Sequence, residues 1–439
     1  MSDRSRALLF LLAGWGLLVA YFSVTTPPSY RDVPLGDARV YTLMALHYDN
    51  PAAVQEPLPL MYAGRLLPAA IAGWMASPAQ TKGSATREFQ ELRGSLPANR
   101  SVLRAFVKLN LLTSFLTVYF LFLVFELVGF KRHLSIALSL SWMSLYLAQR
   151  LYVFWPQMTD PCGFALLTAM IYALLSRRRG IFLAFTMLAP LIRENLLFLV
   201  PCLWLDLRGE SRRRRFLYGA ASLLPFVLFL FLRARPYFHA AVLRPNGVHD
   251  IAILPWFASH VPMFPDYVDI AFFNLRRLAK FQRWLLWPLL FVYGFGGFSF
   301  VLLAAPRKSW AALKRYHFLW PFIVLTLAAG GLTTDRYLFY LFPLVLLIAG
   351  HVLSDKFPDS RRLLGMMAAL VLANFVLYDH FLIPTQQGAE HFAYFHQVEA
   401  IGGLSGFERG LLLAKLAFLG VFLGAVWTKL NHRTSPGIN

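Results

Sequence analysis

Long apolar runs, separated by short polar or basic blocks, recur from one end of this chain to the other. A run of about 20 apolar residues crosses a bilayer as a helix, and membrane depth admits only helices or closed barrels. The pattern predicts an all-α, polytopic integral membrane protein with about twelve transmembrane segments. We expect these segments near residues 7–24, 106–128, 134–151, 160–176, 181–191, 194–206, 216–233, 284–304, 317–331, 336–353, 362–382 and 408–428.

Composition supports this class. Only 15% of the 439 residues are charged and 58% are hydrophobic, whereas about a quarter of the residues of a soluble chain are charged. The two cysteines, Cys162 and Cys202, lie in or beside apolar runs and are expected to be small core side chains.

The net charge of +20 comes from basic blocks between apolar segments. This distribution follows the positive-inside rule of membrane proteins and argues against nucleic acid as a partner. With twelve crossings, every block falls on the side of the N-terminus. We therefore expect both termini in the cytoplasm, in a bacterial inner membrane. The blocks are Lys131 to His133, Arg177 to Arg179, Arg212 to Arg215, Arg307 to Arg315, and Arg361 with Arg362.

One apolar stretch is interrupted by the charged pair Arg193 and Glu194. Both flanks of the stretch, near residues 177 and 208, carry arginines that favour the cytoplasm. Two full spans do not fit in this interval, because each needs about 20 residues. The sequence predicts two short segments that meet at "LIREN" and are covered by protein or a water-filled cavity.

The whole chain, residues 1–439, is predicted to form a single transmembrane domain. Three longer pieces then lie outside the cytoplasm: residues 25–105, with juxtamembrane helices, and residues 234–283 and 383–407. Residues 58–77 are apolar, and we expect them to lie along the interface or to dip into it.

Seven charged residues are predicted at the outer interface or in cavities that open to it. Charges near membrane depth are costly and usually functional. The seven are Asp37, Arg65, Asp160, Arg193, Glu194, Asp335 and Arg336.

Each of these charges also has a structural interpretation. Asp37 and Asp160 could cap helices, and Arg193 and Glu194 could form a buried ion pair with each other. Arg65 and Arg336 could reach lipid headgroups.

A metal site is not expected. The histidines of "EHFAYFH", His391 and His396, are five residues apart, which is poor spacing for one helix face. We predict neither a metal nor another cofactor.

A sugar on a polyprenyl phosphate is a substrate that this set of charges would suit. Its phosphate lies at headgroup level, where a carboxylate acts as general base on an acceptor hydroxyl and an arginine holds the leaving phosphate.

The motifs "GDARVYTLMAL", "PLMYAGRLLPAAIAG", "LIREN" and "TDRYLFYLFP" resemble those of the GT-C superfamily of integral membrane glycosyltransferases. The resemblance implies an inverting transfer from a polyprenyl-phosphate sugar, with Asp37 as catalytic base. It also implies that Arg193 or Arg336 binds the lipid phosphate, while Asp160 and Glu194 orient the acceptor or the arginines. The sequence departs from many GT-C families at this position, since Ala38 follows Asp37 where they carry a second acid.

Two other functions stay open from the sequence. One is a transporter or flippase of a lipid-linked sugar, and the other is a non-catalytic subunit built on a GT-C-like scaffold. The acceptor, whether glycan, lipid or protein, is not specified by the sequence.

Overall fold

The computed structural model is all-helical in the residues that it describes. Across these ranges the chain forms α-helices and 3₁₀ turns and no β-strand, which confirms the all-α prediction. The described residues are 3–25, 37–49, 65–76, 97–145, 148, 158–234, 291–292, 294–329, 334–377 and 406–431.

Seventeen α-helices are present in these ranges. They are α1 (Asp3–Thr25), α2 (Asp37–Leu46), α3 (Leu66–Ala76), α4 (Pro97–Val128), α5 (Arg132–Ser141), α6 (Asp160–Leu175), α7 (Arg179–Ile192), α8 (Val200–Asp206), α9 (Arg212–Ala221), α10 (Leu224–Ala234), α11 (Gly297–Ala304), α12 (Pro306–Arg315), α13 (Trp320–Ala329), α14 (Thr334–Phe339), α15 (Phe342–Lys356), α16 (Ser360–Leu377) and α17 (Gly406–Asn431).

One helix in the described part of the chain is long and apolar enough to cross a membrane by itself. It is the Ser101–Val128 portion of α4, and six further apolar helical stretches are shorter. The count of about twelve crossings stays a prediction. The two pieces predicted to be extracytoplasmic, 234–283 and 383–407, lie outside the described residues except at Ala234, Gly406 and Phe407.

The predicted segment 134–151 is interrupted at Leu145, where the backbone is extended. Helix α5 ends at Ser141, and a 3₁₀ turn continues it to Ser144. The hydroxyls of Ser139, Ser141 and Ser144 donate to carbonyls three or four residues earlier, at 2.6 to 2.8 Å. Such bonds compete with the regular helix ladder and bend helices, which is consistent with the early end.

Two other predicted segments are divided. The interval 216–233 is interrupted at Ser222 and Leu223, between α9 and α10, and 336–353 is interrupted at Tyr340 and Leu341, between α14 and α15. Pro343 lies in the first turn of α15, where proline is favoured because it lacks an N–H donor.

The predicted pair of short segments around "LIREN" forms a helical hairpin. Helix α7 ends at Ile192, and the chain returns through a 3₁₀ turn, Glu194–Leu199, into α8. At the base of the hairpin the guanidinium of Arg179 donates to Asp206 Oδ2 at 3.0 Å and to Glu210 Oε1. Arg193 and Glu194 therefore lie at the tip, opposite this base.

The loops that carry the basic blocks come together at one end of the molecule, here called the basic end. Helices α6 and α15 begin beside each other, with the ring centroids of Phe164 and Phe342 5.6 Å apart, and each is followed by a basic block. Lys131 Nζ donates to the carbonyl of Pro358 at 3.1 Å, and Lys308 pairs with Asp355.

A cluster of aromatic rings around Phe164 fixes the start of α14 and α15 against α6. The Phe164 ring centroid lies 5.0 Å from that of Tyr340, 5.3 Å from that of Phe339 and 6.4 Å from that of Trp142. Edge-to-face contacts of this kind stabilise a packed core beyond the area that they bury. Phe164 lies one helical turn after Asp160, so these contacts hold Tyr340 beside the start of α6.

Candidate functional site

Asp160 binds Arg193 and Tyr340 at the start of α6. It begins α6, and its carboxylate is fully buried. Oδ1 accepts from Nη2 of Arg193 and from the Tyr340 hydroxyl at 3.1 Å. The N-cap position belongs to Thr159, so the capping interpretation of Asp160 is wrong by one residue.

Arg193 and Glu194 diverge because the backbone between α7 and the 3₁₀ turn is extended. Arg193 has φ −158° and ψ 112°, and successive side chains of an extended segment point to opposite sides. Pro190, three residues earlier, weakens the end of α7 because it donates no helix hydrogen bond. The two neighbouring charges therefore bind different segments of the chain.

Glu194 binds Arg65 through two parallel hydrogen bonds. Arg65 Nε donates to Glu194 Oε2 at 2.9 Å, and Nη2 donates to Oε1. This is the bidentate geometry in which arginine holds a carboxylate most strongly. The side chain of Glu194 retains 15% of its exposure, whereas that of Arg65 retains 5%.

Two sequence interpretations are corrected by these contacts. Arg65 is buried immediately before α3, so it does not face lipid headgroups. The ion pair expected between Arg193 and Glu194 is replaced by one pair from each residue to a distant segment.

Tyr41 connects the two ion pairs through its hydroxyl group. Its hydroxyl accepts from Arg65 Nη1 at 2.9 Å and from the hydroxyl of Thr159 at 3.3 Å. Thr159 precedes Asp160 in the chain, so hydrogen bonds and peptide links form a continuous ring. We call this ring, together with Tyr340, which is hydrogen-bonded to Asp160, the charge network. Its members are Tyr41, Arg65, Thr159, Asp160, Arg193, Glu194 and Tyr340.

The charge network is buried and electrically balanced. Two guanidinium groups face two carboxylates, and every member except Glu194 is almost completely buried. An isolated buried charge costs several kcal/mol, and pairing with hydrogen bonds offsets that cost. Glu194 is the network member with the largest solvent exposure.

Gly163 provides the space for two of these side chains. A Cβ atom at this position would lie 2.7 Å from the hydroxyl oxygen of Tyr340 and 3.1 Å from Cγ of Arg193. Only glycine lets both side chains approach Asp160 across the first turn of α6.

Four of the seven predicted residues are brought together by the fold: Arg65, Asp160, Arg193 and Glu194. The other three, Asp37, Asp335 and Arg336, have side chains that lie outside the described part of the structure.

These three residues are close in sequence to members of the charge network or to a residue that contacts it. Asp37 is the first residue of α2, one helical turn before Tyr41. Asp335 and Arg336 lie in α14. Tyr337 follows them directly, and Tyr340 follows the end of the helix. Tyr337 interacts electrostatically with Arg65.

Sequence reasoning missed Tyr41, Thr159, Gly163 and Tyr340. A signal for the tyrosines existed, because the chain uses phenylalanine 40 times and tyrosine 18 times. A buried tyrosine in a phenylalanine-rich setting needs a partner for its hydroxyl. Nothing in the sequence marked Thr159 or Gly163.

The described residues contain no group of three metal-ligating side chains. The stretch with Glu390, His391 and His396 lies outside them. No protein-family model, curated protein or solved structure matches this chain.

Proposed function

We propose that this chain is a polytopic membrane glycosyltransferase of the GT-C type. It would transfer a sugar from a polyprenyl-phosphate donor to an acceptor at the extracytoplasmic face, with both termini in the cytoplasm. The observation that carries the proposal is the convergence of Arg65, Asp160, Arg193 and Glu194, from three distant segments, into one buried network. This network lies at the end of the molecule opposite the basic end.

The surface of the helices supports a membrane location. Many large apolar side chains are exposed on them, and large exposed apolar surface marks sites that bind membranes or other proteins. Examples from seven helices are Phe10, Leu17, Leu112, Leu188, Val227, Val324, Leu372 and Val421. Lipid would cover these side chains, and the basic end would face the cytoplasm.

The depth of the charge network suits a phosphate at headgroup level. Helix α6 connects Asp160 to the basic end through 16 residues, or about 24 Å of helix. The hydrocarbon core of a bilayer is about 30 Å thick. If the basic end lies at the cytoplasmic surface, the network lies near the opposite boundary of the core, beside the headgroups of the outer leaflet.

The proposed reaction is a single displacement at the anomeric carbon. The acceptor oxygen forms the new bond as the bond to the phosphate oxygen breaks, and the acceptor proton moves to the carboxylate of Asp37. Arg193 and Arg336 would hold the leaving polyprenyl phosphate. Asp160 fixes the guanidinium of Arg193, and Glu194 fixes that of Arg65. The chain uses no metal in this scheme.

The test is transfer from radiolabelled polyprenyl-phosphate sugars in membranes that contain wild type, Asp37→Asn or Asp359→Asn at equal protein levels. Asp359 is exposed at the basic end and serves as the matched control. We expect transfer by wild type and the control, and a loss of about two to four orders of magnitude in Asp37→Asn. Equal transfer by all three would refute the role of Asp37, and no transfer by wild type from a full donor panel would refute the enzyme.

A second candidate is a non-catalytic subunit on the same scaffold. It is favoured by the mutual pairing of the two arginines with the two carboxylates, which is also how a purely structural network is built. A subunit of this kind would support its partner's activity equally well with Asp37→Asn. A transporter or flippase is distinguished by movement of the labelled lipid across the membrane without transfer of sugar.

A further inference from the structure

The arginines around α9 form an exposed cluster at the base of the hairpin. The interval from Arg177 to Arg215, leaving aside the hairpin tip, holds eight arginines and no lysine against two acids, Asp206 and Glu210. Arg179 binds both acids. The remaining seven are exposed: Arg177, Arg178, Arg208 and Arg212 to Arg215.

Helix α9 is held on the surface rather than in the core. None of its residues is buried. Its anchors are the ring of Tyr218, which lies 6.0 Å from the guanidinium carbon of Arg179, and Glu210, which accepts from Arg214 at 3.3 Å. The helix therefore lies beside the hairpin base with its arginines directed away from the protein core.

Exposed apolar side chains follow the arginines in the sequence of α9. Phe216 and Leu217 are 75% and 55% exposed, and Trp204 is 46% exposed beside the end of the helix. The indole N–H of Trp204 donates to the Ser222 hydroxyl at 2.8 Å. Tryptophan is enriched where hydrocarbon meets the headgroups. The same short helix thus presents guanidinium groups and then apolar side chains, in the order in which a lipid presents phosphate and acyl chain.

We propose that this arginine cluster binds the headgroups of anionic phospholipids of the cytoplasmic leaflet. The absence of lysine from the interval favours phosphate recognition, because a guanidinium binds phosphate through two parallel hydrogen bonds while an ammonium group acts as a point charge. The exposed apolar residues favour a lipid over a free phosphate. The inference rests on the membrane location proposed above and not on sugar transfer.

The experiment uses the full-length protein in neutral detergent, titrated with dioleoylphosphatidylglycerol, and native mass spectrometry counts the bound lipid. The test variant is Arg212→Gln with Arg213→Gln and Arg215→Gln. The control removes three exposed arginines elsewhere at the basic end, Arg307→Gln with Arg361→Gln and Arg362→Gln. We expect about fivefold weaker binding per arginine removed from the cluster, roughly a hundredfold for all three, and a smaller change in the control.

Two further arms distinguish the sources of the ligand. Dioleoylphosphatidylcholine should bind wild type and both variants weakly and alike, and millimolar inorganic phosphate should not displace phosphatidylglycerol. Equal losses in test and control variants, equal binding of the two lipids, or displacement by inorganic phosphate would each overturn the proposal. If the glutamine variant does not fold, the corresponding lysine variant keeps the charge, and we expect it to bind phosphatidylglycerol less tightly than wild type. Unchanged binding by that variant would overturn the specific role of arginine.

Discussion

Arg193 and Glu194 are consecutive residues, yet their side chains bind different segments of the chain: Arg193 binds Asp160 at the start of α6, and Glu194 binds Arg65 before α3. The extended backbone at Arg193 separates them. The tip of the hairpin is therefore attached at two places, and its position depends on both pairs.

Replacing Arg193 by methionine should strongly destabilise the protein. The substitution leaves the carboxylate of Asp160 buried without the guanidinium that pairs with it. Loss of one partner of a buried ion pair costs about 3–5 kcal/mol. The free energy of unfolding in mixed micelles measures the effect. Arg361→Met, at an exposed arginine, should change it by less than about 0.5 kcal/mol.

The double variant Asp160→Asn with Arg193→Met separates this pairing from loss of packing. It should be more stable than Arg193→Met alone, because no unpaired charge remains buried. If the two variants are equally unstable, electrostatic pairing does not explain the cost.

Replacing Tyr41 by phenylalanine should destabilise the charge network moderately. The ring packing is retained, but the hydrogen bonds from Arg65 and Thr159 are lost. A hydrogen bond to a charged group contributes about 1.5–3 kcal/mol. The comparison is with Tyr119→Phe on α4, a partly buried tyrosine that stacks on Phe115, which should be near neutral. A cost for Tyr41→Phe no greater than for Tyr119→Phe would contradict the geometry described here.

Gly163→Ala should displace Tyr340 or Arg193 from Asp160. The added methyl group would overlap the Tyr340 hydroxyl, and overpacking of this kind costs about 1–3 kcal/mol. The matched control is Gly219→Ala in α9, where an added Cβ meets no described atom within 4 Å. That change should stabilise the helix by up to about 1 kcal/mol. Opposite signs for the two substitutions in thermal unfolding are the expected result, and equal signs would contradict it.

Glu210 should give the protein part of its stability against acid. Hydrogen bonds from Arg179 and then from Arg214 lower the pKa of Glu210 below its ordinary value of 4.5. The ionised carboxylate therefore stabilises the fold above pH 4.5, and this contribution is lost as the pH falls through the lowered pKa. Glu210→Gln should show a shallower loss of stability below pH 4.5 than wild type. Parallel profiles for the two proteins would show that Glu210 does not contribute.

The helical class and the unusual charges were predictable because both are local properties of the sequence. Apolar runs require helices at membrane depth, and Arg65, Asp160, Arg193 and Glu194 were conspicuous as charges among apolar residues. The break at "LIREN" was also predictable from the conflict between its length and its basic flanks. The early end of α5 and the interruption between α14 and α15 were missed, since an apolar run does not indicate where a helix stops.

The sequence by itself determined that this chain is helical, where its apolar segments lie and which charges stand out among them, because these properties depend on neighbouring residues. Only the tertiary structure decided how the charges pair. Arg193 could have bound its neighbour Glu194, but the extended backbone at the hairpin tip and the packing of α6 against α14 and α15 bring it to Asp160 instead. Arg65 and Glu194, 129 residues apart, meet only because α3 packs beside the hairpin. Pairing of this kind depends on contacts between distant segments, which a local pattern does not specify.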